Sequence, residues 1–245
     1  MSLTVTLATA RRVLEQLRGD RRTIALLLLV PCVLMTLLRW VFENQPDVFD
    51  RVGLQLLGIF PFVTMFLVTS VAMLRERTTG TLERLLTTPL AKLDLLLGYA
   101  LAFGVAALAQ AALASALALG LLGLDPTGTV ALVLLLAVAN ALLGMALGLL
   151  VSAFAQTEFQ AVQFLPAVVL PQFLLCGLIA PRDQMADVLD ALSAGLPMTY
   201  AVDGMTQLGH TSSLSGDLLR DLVAIALGGV AALALAAATL RRRTA

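Results

Sequence analysis

The sequence predicts an all-α membrane protein with six transmembrane helices, and three observations carry that prediction. The 245 residues are 59% hydrophobic and only 13% charged, whereas a typical soluble domain is about 25% charged. Six apolar stretches are long enough to cross a bilayer, which takes about 20 helical residues. The basic residues gather in alternate connections between these stretches, as in multi-pass membrane proteins. This composition excludes a disordered chain, a disulfide scaffold and a nucleic-acid-binding protein.

The first segment is predicted to be an amphipathic helix over residues 3–18 that lies in the membrane interface. Apolar residues recur at helical spacing, and the other side carries Arg11, Arg12, Glu15 and Arg18. A basic face beside an apolar one suits the boundary between lipid headgroups and acyl chains. The alternative is an ordinary amphipathic helix packed elsewhere on the protein. The segment lacks the apolar core and cleavage site of a signal peptide.

Charged residues bound the six predicted spans. The spans cover about 23–42, 52–74, 95–123, 127–155, 159–180 and 222–240. Six spans place both termini on one side, and most of the arginines fall on that side, so the positive-inside rule makes it the cytoplasm. The formal net charge of zero is therefore a cancellation. The predicted inner side has 12 basic and 6 acidic residues, a net of +6, and the outer side has 4 basic and 10 acidic residues, a net of −6.

The fourth span contains two small residues four positions apart, Gly144 and Gly148. Such a pair lets two helices approach closely in a membrane. We expect this surface to pack within the chain, in preference to forming a subunit interface.

The connection between the second and third spans is predicted to hold a short cytoplasmic helix over residues 80–88. Gly80 is suited to cap its start, Glu83 follows three residues on, and Pro89 ends it. Three leucines form an apolar knob with charged residues beside it: Leu82, Leu85 and Leu86 with Glu83 and Arg84. Such a helix can dock into a groove on a partner protein. Spacing alone fits a solvated loop helix equally well.

Residues 181–217, between the fifth and sixth spans, are predicted to form short helices that dip into the outer leaflet. They are too apolar for a solvated loop, yet Gly195, Pro197 and Gly204 interrupt them too often for a span.

The predicted spans contain few polar residues. Gln55, Gln163 and Gln172 are candidates to line a path, although hydrogen bonding between helices is the favoured alternative for them. No acidic or basic residue lies deep in spans two to six, which disfavours an ion-coupled carrier and an intramembrane enzyme. A phosphate-binding P-loop requires Gly-Lys-Ser/Thr, and the one lysine, Lys92, follows an alanine. The single histidine also excludes two-histidine metal motifs.

These features resemble the ABC-2 type transporter permeases, in particular the bacterial drug-exporter branch typified by daunorubicin export permeases. Three segments carry the resemblance, which extends over nearly the whole chain. They are Glu76 with Gly80-Thr81-Leu82-Glu83-Arg84-Leu85 up to Pro89; Ser152, Phe154 and Pro166 with Leu178-Ile179-Ala180-Pro181; and Leu196-Pro197-Met198-Thr199-Tyr200-Ala201-Val202-Asp203. The first segment is fairly specific and the other two are supportive. Family members often have asparagine where this chain has Leu196.

The resemblance implies that residues 1–245 form one transmembrane domain that pairs with a second permease, identical or paralogous, and binds two copies of a separate ABC ATP-binding subunit. Residues 80–88 would be the coupling helix and residues 3–18 the connecting helix. The ATPase-coupling residues would be Glu76, Gly80, Thr81, Leu82, Glu83, Arg84, Leu85, Leu86 and Pro89. Pro197, Tyr200 and Asp203 would belong to re-entrant helices that close the path.

The function that the resemblance implies is export of a hydrophobic or amphipathic drug, lipid or metabolite across a bacterial inner membrane. ATP and Mg would be bound by the partner ATPase, so this chain would hold no cofactor and catalyse no reaction. The path would be lined by spans one, two and five. The Glu-Ala-Ala signature of importer permeases is absent, which favours export. The alternative is a secondary multidrug carrier driven by an ion gradient.

Overall fold

The structure is a computed structural model that describes residues 2–81, 92–211 and 213–239. Within these ranges the helices are α1 (Leu3–Gly19), α2 (Arg21–Val41), α3 (Pro46–Thr78), α4 (Lys92–Gly120), α5 (Val130–Val151), α6 (Glu158–Leu175), α7 (Asp187–Ser193), α8 (Pro197–Leu208) and α9 (Gly216–Thr239), with a 3-10 turn at Arg182–Gln184. Six of them, α2 to α6 and α9, are long and apolar enough to cross a membrane. The prediction of an all-α fold with six such helices is confirmed.

The largest differences from the predicted span bounds are at the start of α3, which begins at Pro46 and not near residue 52, at the start of α9 and at the end of α6. Helix α9 begins at Gly216, whereas the charge of Asp221 places the predicted start near residue 222. Asp221 is fully buried and accepts a hydrogen bond from Gln207 Nε2 at 2.7 Å, so its charge does not end the helix. Helix α6 ends at Leu175, before the predicted residue 180, because Gly177 adopts a φ of 91° that turns the chain.

Helices α3 and α5 touch backbone to backbone at the centre of the fold. A Cβ atom added at Gly144 would fall onto the carbonyl of Phe62, and one added at Gly148 would fall onto the carbonyl of Phe66. Beside them Thr69 Oγ1 donates to the Met65 carbonyl oxygen of its own helix at 2.6 Å and also lies 3.3 Å from the Met145 carbonyl oxygen of α5. The expectation that the two glycines pack within the chain is confirmed.

Asn140 extends this contact by one more interhelical hydrogen bond. Its Nδ2 atom donates to the Gly58 carbonyl oxygen at 2.6 Å, and the side chain is fully buried. Among the long helices, α3 is the most buried. Of an 18-residue apolar stretch of α3, 61% is buried, against 17% of such a stretch in each of α2, α6 and α9. Helix α3 is therefore the central helix, and these three lie at the periphery.

Contacts at the two ends of the long helices show that successive helices run in alternating directions. At one end, here called the basic end, Arg75 of α3 pairs with Glu158 at the start of α6. At the other, the acidic end, the backbone N–H of Asp125 donates to Asp50, just after the start of α3. Helix α1 lies at the basic end. Helices α7 and α8 lie at the acidic end, where the Gly128 N–H donates to the Leu208 carbonyl oxygen at 2.7 Å.

Helix α1 crosses α4 with its small residues against the α4 backbone. A Cβ atom added at Gly98 would come within 2.5 Å of Thr9 Cβ, and the Ser2 N–H donates to Asp94 Oδ2 at 3.0 Å. On its other side α1 leaves Leu3 and Leu7 exposed. Asp20 then caps α2, because it accepts hydrogen bonds from the Thr23 hydroxyl and the Thr23 N–H, which lower the pKa of this carboxyl.

The glycine contact predicts the effect of one added methyl group. We expect Gly144→Ala to destabilise the fold by about 1–3 kcal/mol, because the new Cβ must push the Phe62 backbone away. The measurement is the midpoint of thermal unfolding in detergent. Gly229→Ala is the matched control, since a Cβ there meets nothing within 4 Å, and the midpoint of that variant should not fall. Equal midpoints for the two variants would contradict the packing argument.

Candidate functional site

A cleft of about 1080 Å³ runs from the basic end into the middle of the helices. Its walls are mostly apolar side chains of α2, α3 and α6: Leu26, Leu27 and Val30; Val63, Leu67, Val68 and Val71; and Phe159, Val162 and Leu165. Helices α1 and α4 close one side through Val13, Leu17, Tyr99 and Phe103. The sequence predicts a path lined by spans one, two and five, and these are the helices α2, α3 and α6.

Charged side chains ring the mouth of the cleft. Arg75 Nε lies 2.7 Å from Glu158 Oε1, and Arg75 Nη1 lies 3.7 Å from Asp20 Oδ2. These contacts join the α1–α2 junction, the end of α3 and the start of α6. The side chains of Arg75 and Glu158 are about half exposed, and exposed ion pairs of this kind contribute little to stability. The mouth is therefore held by contacts that break at low cost.

Glu76 belongs to a second, more buried set of contacts. Arg12 Nη1 lies 3.3 Å from Glu76 Oε1, and Arg12 Nη2 donates to the Tyr99 hydroxyl at 2.6 Å. The guanidinium also lies 5.7 Å from the centre of the Tyr99 ring. Only 11% of the Glu76 side chain is exposed. Helices α3 and α4, which flank residues 82–91, are both fastened to α1 in this way.

Only some of the predicted coupling residues, Glu76, Gly80 and Thr81, belong to the part of the chain that the structure describes. Gly80 has a φ of 73° and follows the C-cap of α3, which is the usual place for glycine at a helix end. Thr81 lines the mouth of the cleft. The others lie outside the described residues: Leu82, Glu83, Arg84, Leu85, Leu86 and Pro89.

The three glutamines proposed to line a path occupy other places. Gln55 is buried and donates to the Thr206 hydroxyl of α8 at 2.8 Å. Gln172 is buried, donates to the Val168 carbonyl oxygen at 3.0 Å, and accepts from the Met198 N–H at 3.4 Å. Gln163 is exposed on α6. The first two hold α8 in place, which is the interhelical role that the sequence favours, and none of the three is among the residues that line the cleft.

The residues predicted for an outer re-entrant motif share helix α8. Pro197 occupies its first turn, where a missing N–H costs nothing. The Tyr200 hydroxyl donates to the Ala194 carbonyl oxygen at 2.7 Å. Asp203 pairs with Arg182, which also pairs with Asp190 of α7 at 2.7 Å. Burial raises the pKa of the Asp203 carboxyl even though Arg182 opposes that shift. These contacts join α7, the 3-10 turn and α8 into one layer.

Sequence reasoning missed the partners of the charged residues. Arg12 and Glu76 are 64 residues apart, so no local pattern relates them. Asp221 reads as the edge of a span, yet it is fully buried between Gln207 and Arg220. The spacing of Asp217 and Arg220 does predict an ion pair on one helical face, but no local pattern points to the contact of Asp221 with Gln207.

Comparison with known proteins gives a family match. The family model described as ABC-2 type transporter matches residues 4–208. The chain is similar to two Escherichia coli proteins named probable multidrug ABC transporter permease: YbhR, 28% identical over 62% of this chain and 42% of that protein, and YbhS, 28% identical over 58% and 38%. It is also 26% identical to ABC transporter G family member 20 of Dictyostelium discoideum over 69% of this chain and 23% of that protein. The matches therefore cover less than half the length of these relatives.

The contacts of Glu76 predict a measurable coupling with Arg12. We expect Glu76→Gln and Arg12→Gln each to destabilise the protein by about 1–2 kcal/mol, because each leaves a largely buried charged partner unpaired. The loss of stability in the double variant should be smaller than the sum of the losses in the two single variants, because both single variants remove the same contact. Unfolding midpoints in detergent measure all three variants.

The exposed pair Arg11–Glu15 on the same helix is the control, with side chains 82% and 63% exposed. We expect no measurable change for Arg11→Gln in lipid-free detergent. Additive losses for Arg12 and Glu76 would show that their contact does not contribute to the fold.

Proposed function

Since the chain belongs to the ABC-2 type transporter family, we propose that it is the transmembrane permease subunit of an ATP-driven exporter. It is a multi-pass membrane protein with six long apolar helices. Its cargo in this proposal is a hydrophobic or amphipathic drug, lipid or metabolite that moves outward. The names of the two Escherichia coli relatives, which describe them as probable multidrug permeases, support this choice.

The observation that carries the proposal is the cleft with apolar walls and a charged mouth. Its volume of about 1080 Å³ slightly exceeds the usual range of small-molecule sites, about 300–1,000 Å³. A molecule with an apolar body and a polar end fits such a cleft, because the body leaves water while the end stays at the mouth. The described part of the wall between Val63 and Val71 carries no charged side chain, which suits hydrophobic cargo.

The energy in this proposal comes from a separate ABC ATPase that docks at the basic end, the cytoplasmic side of a bacterial inner membrane. Residues 80–88 act as the coupling helix, with Glu83 beside a basic residue of the ATPase and the leucines in its groove. Two copies of the ATPase bind ATP and Mg, and this chain contributes no catalytic group. The contact of Arg12 with Glu76, and the pairing of Ser2 with Asp94, carry the motion of the coupling helix to α1 and α4.

A second permease subunit, identical or paralogous, completes the path. Helices α2 and α6 flank the cleft and leave large apolar side chains exposed, among them Leu29, Leu37, Leu170 and Leu174. A partner that covers these faces closes the open side of the cleft. Release then occurs at the acidic end, where the layer of α7 and α8 separates the path from the outside.

The coupling assignment is tested in the assembled transporter. In everted vesicles that contain the permease and its ATPase, we expect Glu83→Lys and Leu85→Ala to abolish the stimulation of ATP hydrolysis by a lipophilic dye and the ATP-dependent uptake of that dye. Glu43→Lys is the control, because it makes the same charge reversal on an exposed residue at the acidic end. Uptake driven by a proton gradient without ATP would overturn the exporter proposal in favour of a secondary carrier.

The cleft assignment has its own prediction. We expect Leu67→Trp to lower the rate of dye transport roughly tenfold without loss of the assembled complex. Leu67 lines the cleft, so the larger indole occupies space that the cargo would use. Leu235→Trp makes the same change on an exposed surface of α9 and should transport normally. Wild-type transport by the Leu67→Trp variant would show that the cargo does not use this cleft.

A further inference from the structure

A second cavity, of about 430 Å³, lies between α1 and α4. We call it the α1–α4 groove. Its polar edge on α1 consists of Arg11, Glu15 and Arg18, and its apolar wall includes Leu101 and Val105 of α4. The groove therefore combines charged side chains along one edge with an apolar surface beside them.

The groove faces away from the cleft. Along α4, Tyr99 and Phe103 line the cleft, whereas Leu101 and Val105 line the groove, and residues two apart point to nearly opposite sides of a helix. A molecule in the groove is thus separated from the proposed cargo site by the body of α4.

The position of the groove along α4 matches the boundary between headgroups and acyl chains. Leu101 and Val105 belong to a membrane-spanning helix, and 47% and 54% of these residues are exposed. The contact of Arg12 with Tyr99 fixes α1 against the first turns of α4. The arginines of α1 therefore lie near the end of the span, and the apolar wall continues from them toward its middle.

The charges of the groove favour an anionic ligand. Arg11 pairs with Glu15 at 2.8 Å, while none of the described acidic residues pairs with Arg18, which leaves a net charge of about +1 at the edge. A phosphodiester with one negative charge complements that edge. A soluble anion would make no use of the exposed apolar wall, whereas an acyl chain would cover it.

We propose that the α1–α4 groove binds one anionic phospholipid from the leaflet at the basic end. The phosphate lies on Arg11 and Arg18, and an acyl chain covers Leu101 and Val105. A bound lipid adds contacts to α1, the helix that holds Glu76 through Arg12. The lipid thereby stabilises the contacts of α1 with α3 and α4, the helices on either side of residues 82–91, without entering the cleft.

The test measures lipid binding to the purified full chain by native mass spectrometry. Phosphatidylglycerol is titrated against phosphatidylcholine, and one phosphatidylglycerol is expected to remain bound to the wild type. In Arg11→Gln/Arg18→Gln the affinity for that lipid should fall roughly thirtyfold, since each arginine near an anionic headgroup raises the affinity about fivefold. Both side chains are exposed, so the unfolding midpoint without lipid should not change.

The matched control is Arg21→Gln/Arg22→Gln, which removes the same charge from exposed residues at the same end that do not line the groove. It should bind nearly as well as the wild type. An equal loss in both double variants, or equal binding of the two lipids to the wild type, would overturn the proposed site in favour of diffuse surface attraction.

A second variant tests the apolar half without changing any charge. Val105→Trp fills the space beside α4 on an already exposed position, so it should weaken phosphatidylglycerol binding severalfold while the protein stays folded. Unchanged affinity would show that no acyl chain occupies the groove.

Discussion

Where Gly144 and Gly148 of α5 lie against the carbonyls of Phe62 and Phe66, two helix backbones meet without a side chain between them. In a bilayer, apolar side chains gain little by leaving lipid for protein, so close packing and interhelical hydrogen bonds must hold helices together. The α3–α5 contact supplies both, through the glycines and through Asn140. Helix α8 packs against both helices at the acidic end and α9 packs along α5, whereas α2 and α6 pack against α3 and border the cleft.

The basic end is held differently from the centre. There the helices meet through charged side chains that are partly exposed, such as Arg75 with Glu158, and such contacts rearrange at low cost. The pairing of Arg12 with Glu76 is more buried and fastens α1 to the flank of residues 82–91. Helix α1 thus has two different sides, one facing the cleft and one facing the α1–α4 groove. The centre of the fold is therefore held by close backbone packing, and the mouth of the cleft by ion pairs that rearrange more easily.

Much of the fold could be predicted because a membrane allows few solutions. A backbone in lipid must satisfy its own hydrogen bonds, so each long apolar stretch becomes a helix. The glycine pair of α5 was interpretable for the same reason, since small residues in a span mark a close approach. For the glutamines, the sequence favoured hydrogen bonds between helices over lining a path, but it did not identify their partners, because helical spacing fixes which residues share a face but not which neighbour that face meets. The structure shows that Gln55 and Gln172 bond to α8.

The sequence by itself determined the number of spans, the opposite charges of the two ends and the six-helix fold class. Apolar length and charge are local properties, so they need no knowledge of neighbours. Only the tertiary structure decided that Arg12 reaches Glu76, that Asp221 is buried inside α9, and that α1 and α4 close one side of the cleft. These facts depend on which helices become neighbours, and that choice rests on the backbone contact between α3 and α5.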